Sequence, residues 1–465
     1  MQNTPHGPYP TPKGNLGAFH ILVVAAMVCS TAQTAGAQAA GQAASAAASS
    51  TSESTVKGPM SIRAEFNAHN AAAAAARTRK DWPEVRKHLA AIDNLMHGSP
   101  GIILALARTA VWSGDKAAAF AELKNLIGMG LTREIARDTS FASLHADPEW
   151  AGIVAGFAAN TKTIGGPEKA FELPSADFIA EDIAYDAARD RFLVTSVRNR
   201  TIVAVKRGGS IESFAAAADL WGMMAIAADA KRNVLWATTV AMPRAAGYNK
   251  ADAGKASVLK YDLASGKLLR RFDLPANERG SIPGDIAVSA NGDLFVSDGR
   301  TGVIHVIREN ATELRVLVAE GTFLSPQGPA VTPDGKTLYV ADYQRGLAEV
   351  DQSTGAVTWL SHPRNVAVAG IDGLIAADDR TLIAVQNGVM PNRVIEFKLD
   401  AKARAITGYR VLAQNPTELR GPTHGVLARG ALYFIGNGGF DDFDDEGKPA
   451  AGVTPSRPVV YSLKR

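Results

Sequence analysis

The chain has 465 residues, of which 46% are hydrophobic and 20% charged, the balance of an ordinary globular protein long enough for more than one domain. Lys and Arg number 49 against 46 Asp and Glu, and no basic cluster concentrates the net charge of +3, so nucleic acid and membrane surfaces are not expected partners. The one cysteine, Cys29, lies near the N-terminus, so a mature chain starting beyond it would lack disulfides, a cysteine nucleophile and thiolate metal ligands.

Residues 16–29 read LGAFHILVVAAMVC, too short to stay in a bilayer as a permanent helix. Ala37-Gln38-Ala39 follows with small residues where a signal peptidase cuts. Residues 1–39 are therefore expected to be a secretory signal, giving a periplasmic or secreted protein with no permanent transmembrane segment. Lys13 is the only lysine or arginine before the apolar run, which keeps an uncleaved anchor as the alternative. Residues 40–60 are rich in Ala, Ser and Thr without periodicity or charge, the pattern of a flexible linker.

Residues 61–157 change to a helical pattern. Helices are expected over 62–79, 82–96, 102–112 and 116–127, with Gly98-Ser99-Pro100 and Ser113-Gly114-Asp115 as breaks. The two pairs superpose with Asp81 on Asp115 and Leu89 on Leu123, an offset that equals the tetratricopeptide period. The stretch GDKAAAFAEL resembles the start of the second helix of such a repeat. A region of this kind offers either a groove for a protein partner or a spacer packed on its neighbour. Residues 138–150 (DTSFASLHADPEW) read as an extended connection. His69, His88, His97 and His145 show no metal-ligand spacing and read as solvated.

From residue 171 the pattern is short strands. In 326–351, PQGPAVTPDGKTLYVADYQRGLAEVD, three apolar runs are divided by Asp334-Gly335, a strong hairpin signal, and by Gln344-Arg345-Gly346. Five further units repeat the pattern, and the equivalent positions are Asp182, Met223, Asp285, Gly328, Gly373 and Gly425. The longer intervals among them contain visible loop insertions. Repeats of roughly 40 to 50 residues with four short strands are propeller blades. The expected fold is mainly β: a six-bladed β-propeller over 171–465, preceded by the small α-helical region.

In a propeller, the loops leading into each innermost strand converge on the central channel, where a site would form. The residues just before the inner strands are Glu181, Gly222, Gly284, Gln327, Asp372 and His424, and Asp182 and Asp285 adjoin them. The loops between second and third strands add Asp298, Asp342 and Asn387 on the same face, together with two long loops over 240–255 and 437–458. Carboxylates and amide oxygens around a channel suit a hard divalent cation, Ca²⁺ or Mg²⁺. The acidic run 441–446 lacks the spacing of a calcium loop and reads as a solvated acidic loop, and His305 as a packed strand residue.

At these residues the chain resembles the senescence marker protein/gluconolactonase family of six-bladed propellers and, more loosely, strictosidine-synthase-like ones. The resemblance is strongest in SPQGPAVTPDGKTLYVADY and GIDGLIAADDRTLIAVQNG. It implies one divalent metal held by Glu181, Gln327 and Asp372, in the places of the family's glutamate, asparagine and aspartate, and it makes Asp372 the water-activating base. This sequence departs from the family at Gln327, one methylene longer, and at Asp182, where the family has glycine. Asn387, His424, Asp298 and Asp342 are the expected substrate-contacting residues. The implied activity is metal-assisted hydrolysis of a lactone or similar small ester, and the competing reading is a non-catalytic binding protein for a small ligand or protein partner. The tryptophan-rich blade signature of quinone-dependent dehydrogenase propellers is missing.

Overall fold

A computed structural model of the chain describes residues 61–464 apart from 217–219 and 415–416. The expected signal and linker lie outside the described residues. Among the described residues, no helix is long and apolar enough to cross a membrane.

Six four-stranded antiparallel sheets form the six-bladed propeller that the repeats predict. Their inner strands are Ala180–Asp186, Gly222–Asp229, Pro283–Val288, Pro326–Val331, Ile371–Asp378 and Gly425–Ala428, each packed beside the next around the channel. Turn chemistry sets the hairpins. In blade four, Gly335 takes φ 76°, which few residues but glycine adopt, and its N–H donates to Thr332 O at 2.8 Å. Middle strands such as Leu338–Asp342 are buried throughout, as expected of strands sandwiched between neighbouring blades.

Blade six closes the ring in a way the repeat pattern does not reveal. It has three C-terminal strands and takes its outer strand, Glu168–Glu172, from the start of the propeller, with Phe171 opposite Val460. This strand is mostly exposed, so it carries no apolar signature. Pairing the two ends of the propeller leaves no open seam between blades one and six.

The helices are α1 (Ile62–Thr78), α2 (Trp82–Leu95), α3 (Pro100–Trp112), α4 (Lys116–Gly128) and α5 (Trp150–Ala159). Asp81 and Asp115, the pair matched by the repeat offset, both cap helices, accepting from Glu84 N and Ala118 N. The expected extended connection is instead a short 3₁₀ helix, Thr139–Leu144, capped by Asp138 and anchored by buried Phe141 and Leu144, and α5 follows it.

These helices share a core with the propeller: Ala367 and Val389 pack among Phe120, Leu123 and Phe157. Propeller side chains also satisfy the carbonyls at the helix C-termini, which have no partner within their own helices. Arg345 Nε donates to Leu95 O at 2.8 Å, Arg393 Nη1 to Met129 O at 2.8 Å, and Gln414 Nε2 to Asn160 O at 2.8 Å. Arg364 bridges Asp93 and Glu122. His97 is therefore not solvated: it accepts from Arg345 and stacks on Trp359, and burial first, then Arg345, lowers its pKa to about 4. His69 and His88 face each other across α1 and α2, and His145 stacks on Trp150.

Candidate metal and active site

Five of the six inner strands begin with an irregular register, between Ala180 and Ile183 in blade one and between Pro283 and Asp285 in blade three, for instance. A bulge re-aims the side chain beside it. Residues at the channel ends of blades one, three, five and six form a buried group: Glu181 is 7% exposed, Asp182 4%, Asp285 1%, Asp372 5% and His424 8%.

His424 links the blades. Its Nδ1 lies 3.3 Å from Asp182 Oδ1, and its Nε2 lies 2.7 Å from Asp285 Oδ1, out of line for a hydrogen bond. Asp182 is also tied to the backbone, accepting from Ile183 N at 2.7 Å and from Ile226 N of the next blade at 2.8 Å. Asp372 is oriented from above: Asn387 Nδ2 donates to its Oδ2 at 2.5 Å and to Pro422 O at 2.9 Å, while Tyr343 Oη donates to Asn387 Oδ1 at 3.0 Å.

Four carboxylates thus face one imidazole. Burial, then the negative charges of Asp372 and Asp285, push Glu181 well above the usual carboxylate range. Burial and Asp285 push Asp372 up to about 7. Burial works against the His424 imidazolium, but Asp285 and Asp182 outweigh it and hold its pKa well above the ordinary value. Burial drives the Tyr343 phenol up as well.

The donor set fits a divalent cation. Among the described residues, Asp285, Asp372 and His424 each bring a ligand atom within 4.8 Å of the others, all from buried side chains. Glu181 Oε2 and Asp285 Oδ2 are buried without a hydrogen-bond partner, a costly arrangement that a cation would relieve.

The residues expected from sequence fare unequally. Glu181, Asp372, His424 and Asn387 come together here. Half-buried Gln327 donates to Ser325 Oγ at 3.3 Å and lies against Gly284 and Gly299. Asp285, which is not among the expected ligands, takes part in the cluster instead. Asp342 and Asp298 have no exposure and serve as loop anchors. Asp342 accepts from the N–H groups of Leu324, Ser325, Gln344 and Arg345, and Asp298 from those of Ile282, Arg300 and Thr301. Asp342 uses both carboxylate oxygens in this way, whereas Asp298 Oδ2 is buried without a hydrogen-bond partner. Tyr343, in the second-to-third strand loop expected on this face, reaches the group through Asn387.

The surroundings on this face come from three sources. The loops over 240–255 and 437–458 interlock above blade one, where Arg244 pairs with Asp445 at 3.1 Å and Arg198 lies over the Phe443 ring at 4.7 Å. The acidic run is thus not wholly solvated, since Asp442 is buried and accepts from Ser456 N at 2.9 Å. On the opposite side the helices dock on the loops of blades four and five, with Thr132 N donating to Met390 O at 2.8 Å, close in sequence to Asn387.

A sequence model of the outer membrane protein assembly factor BamB family matches residues 254–406. No curated protein matches the chain. Among solved structures, the chain is similar to a gluconolactonase from Xanthomonas campestris at 14% identity, over 66% of this chain and 92% of that one, with a TM-score of 0.41. It is similar to the calcium-binding protein regucalcin from Agrobacterium tumefaciens at 14% identity, over 64% and 94%, with a TM-score of 0.44. It is also similar to a PQQ-bound aldose sugar dehydrogenase from Streptomyces coelicolor at 12% identity, over 65% and 99%, with a TM-score of 0.46.

Proposed function

We propose that the protein is an exported, divalent-cation-dependent hydrolase of a lactone or similar small ester, acting at the channel face of the propeller. The observation that carries this reading is the buried group of Glu181, Asp285, Asp372 and His424, with carboxylate oxygens left unpartnered at the convergence of the inner strands. Glu181, Asp285 and Asp372 would hold the cation, Ca²⁺ or Mg²⁺ by the hardness of its oxygen donors. When bound, the cation supplies Lewis-acid polarisation of the ester carbonyl.

The chain's own groups account for the proton transfers. Asp372, fixed by Asn387, accepts the proton of the attacking water. His424, held through Nδ1 by Asp182, returns a proton to the leaving alkoxide from Nε2. Tyr343 and Asn387 keep the Asp372 carboxylate turned inward.

The test is turnover of lactones and esters with Ca²⁺ or Mg²⁺ by the wild type and by Asp372→Asn. Turnover abolished in a folded Asp372→Asn variant is the expected result, and an equally active, cation-independent variant overturns the reading. The competing reading, a non-catalytic binding protein, draws on the near-complete burial of the group and predicts saturable binding without product.

A further inference from the structure

The loop that steadies Asp372 is held on its far side by the helices. Asn387, which donates to Asp372 Oδ2 at 2.5 Å, opens the loop 387–392 between the second and third strands of blade five. Two residues on, Val389 is 8% exposed and belongs to the same apolar core as Phe120, Leu123 and Phe157 of the helices. Met390 O accepts from Thr132 N, just beyond α4, at 2.8 Å. The loop thus has one end in the site and its middle in the helical core.

A second tie runs through Arg393, which follows the loop and has no exposure. Its Nη1 donates to Met129 O, at the C-terminal cap of α4, and its Nε to Gln386 Oε1, both at 2.8 Å. Gln386 Nε2 donates in turn to Ala367 O and Ala369 O, each at 2.9 Å. Those carbonyls lie on the segment leading into Ile371–Asp378, the strand that carries Asp372, and Ala367 belongs to the helical core as well. Gly388 N donates to Gly370 O at 3.1 Å and joins the loop to this segment. The approach to Asp372 and the Asn387 loop are therefore fastened to one another and to the end of α4.

We propose that the helical region is a working part of the site: Val389 and Arg393 are positioning residues through which the helices fix Asn387 and, through Asn387, the aim of Asp372. The proposal rests on the cation reading above, and it gives the helices a role other than spacer or partner groove. A carboxylate ligand keeps its orientation only while an outer donor holds it, and losing such a donor typically weakens a metal site about 10- to 100-fold. Val389→Ala touches no polar group of the site, so any effect on the site must travel through the loop.

The experiment measures Ca²⁺ affinity of the full chain by calorimetry in a double-mutant cycle of Val389→Ala and Asn387→Ala. Val350→Ala, an equal truncation of a buried valine in blade four, is the control. Hydrogen exchange over 369–374 and 386–392 is followed in the same proteins without cation. Asn387→Ala is expected to weaken Ca²⁺ binding about tenfold or more. Val389→Ala should weaken it about threefold in the wild-type background and not in Asn387→Ala, because the two act in series. Exchange should quicken over both segments in Val389→Ala and in neither in Val350→Ala. Should Val389→Ala fail to fold, Arg393→Lys, which keeps the charge but loses the guanidinium fork, takes its place in the cycle. Should both fail, the wild type decides: by reciprocity, Ca²⁺ must slow exchange over 126–132 at the end of α4.

Unchanged Ca²⁺ affinity in folded Val389→Ala, an equal loss in both backgrounds, or the same loss in Val350→Ala overturns the proposal, as does unaltered exchange over 126–132 if the wild type has to decide. A wild type that binds no Ca²⁺ removes the cation reading instead. Quickened exchange over 369–374 in Val389→Ala then still supports the positioning role, and unchanged exchange there overturns it.

Discussion

Replacing Asp372 by Asn should make the cation-free protein more stable, by an amount that grows with pH. Asp372 is 5% exposed, and its pKa rises from 3.8 to about 7 because of burial and Asp285. An acid whose folded-state pKa lies above its unfolded value keeps its proton in the folded chain after the unfolded chain has lost it. Folding stability is then greatest below about pH 4 and falls as the pH rises toward 7. The shift corresponds to about 4 kcal/mol at its ceiling. Asparagine has the same shape and can still accept from Asn387, but it never ionises. Urea unfolding in chelator should therefore show a small difference from wild type near pH 4 and a gain approaching the ceiling at pH 8. Added divalent cation should reverse the order, since it stabilises the ionised carboxylate that asparagine lacks. A difference that stays flat with pH, or an Asn variant destabilised throughout, would show that Asp372 is not held protonated by its surroundings.

His424→Gln should cost about 3 kcal/mol near pH 6, because it leaves Asp182 and Asp285 buried without their cationic partner. A histidine with a raised folded-state pKa stabilises fully below its unfolded value of about 6.5. The penalty should therefore fade as the pH rises through the folded-state value; a constant penalty in urea melts would contradict this. Arg364→Ala should cost about 1–2 kcal/mol, since it strips Asp93 and Glu122 of their shared partner at the junction between helices and propeller. It should also speed proteolysis within residues 61–160, and unchanged proteolysis would count against the docking described. Gly388→Ala should impair catalysis more than its exposed position suggests, because a Cβ there would lie 2.6 Å from the Tyr343 ring and 2.5 Å from Gly370 Cα. An active variant with normal thermal stability would show that Tyr343 is free to move.

Much of the propeller is legible because its signals are local. Asp334-Gly335 specifies its hairpin through its immediate neighbours, and the polar residues at the start of five of the six inner strands mark the channel end without tertiary information. Asp81 and Asp115 announce their helices in the same way. What escapes is set at long range. The closing strand Glu168–Glu172 is an exposed edge whose partner, Val459–Lys464, lies at the far end of the chain, so no periodicity betrays it. Arg345 and Arg393 look like surface cations in sequence, yet Arg393 has no exposure, because it reaches a helix end that only the fold brings near. In the site, which side chains meet across the channel is set by tertiary packing, so Asp285 is in the cluster while Gln327 lies against two glycines. Asp298 and Asp342 occupy the expected face but serve its loops, a distinction only hydrogen bonds reveal.

The most direct test is metal analysis of the purified protein, followed by calorimetric titration with Ca²⁺ and Mg²⁺, with Glu181→Gln and Asp372→Asn alongside. The buried carboxylates predict one divalent cation per chain, with affinity at least tenfold weaker in both folded variants. A wild-type protein that carries no cation and takes up neither ion would contradict a metal centre, and would leave the carboxylates and His424 as a purely structural ring.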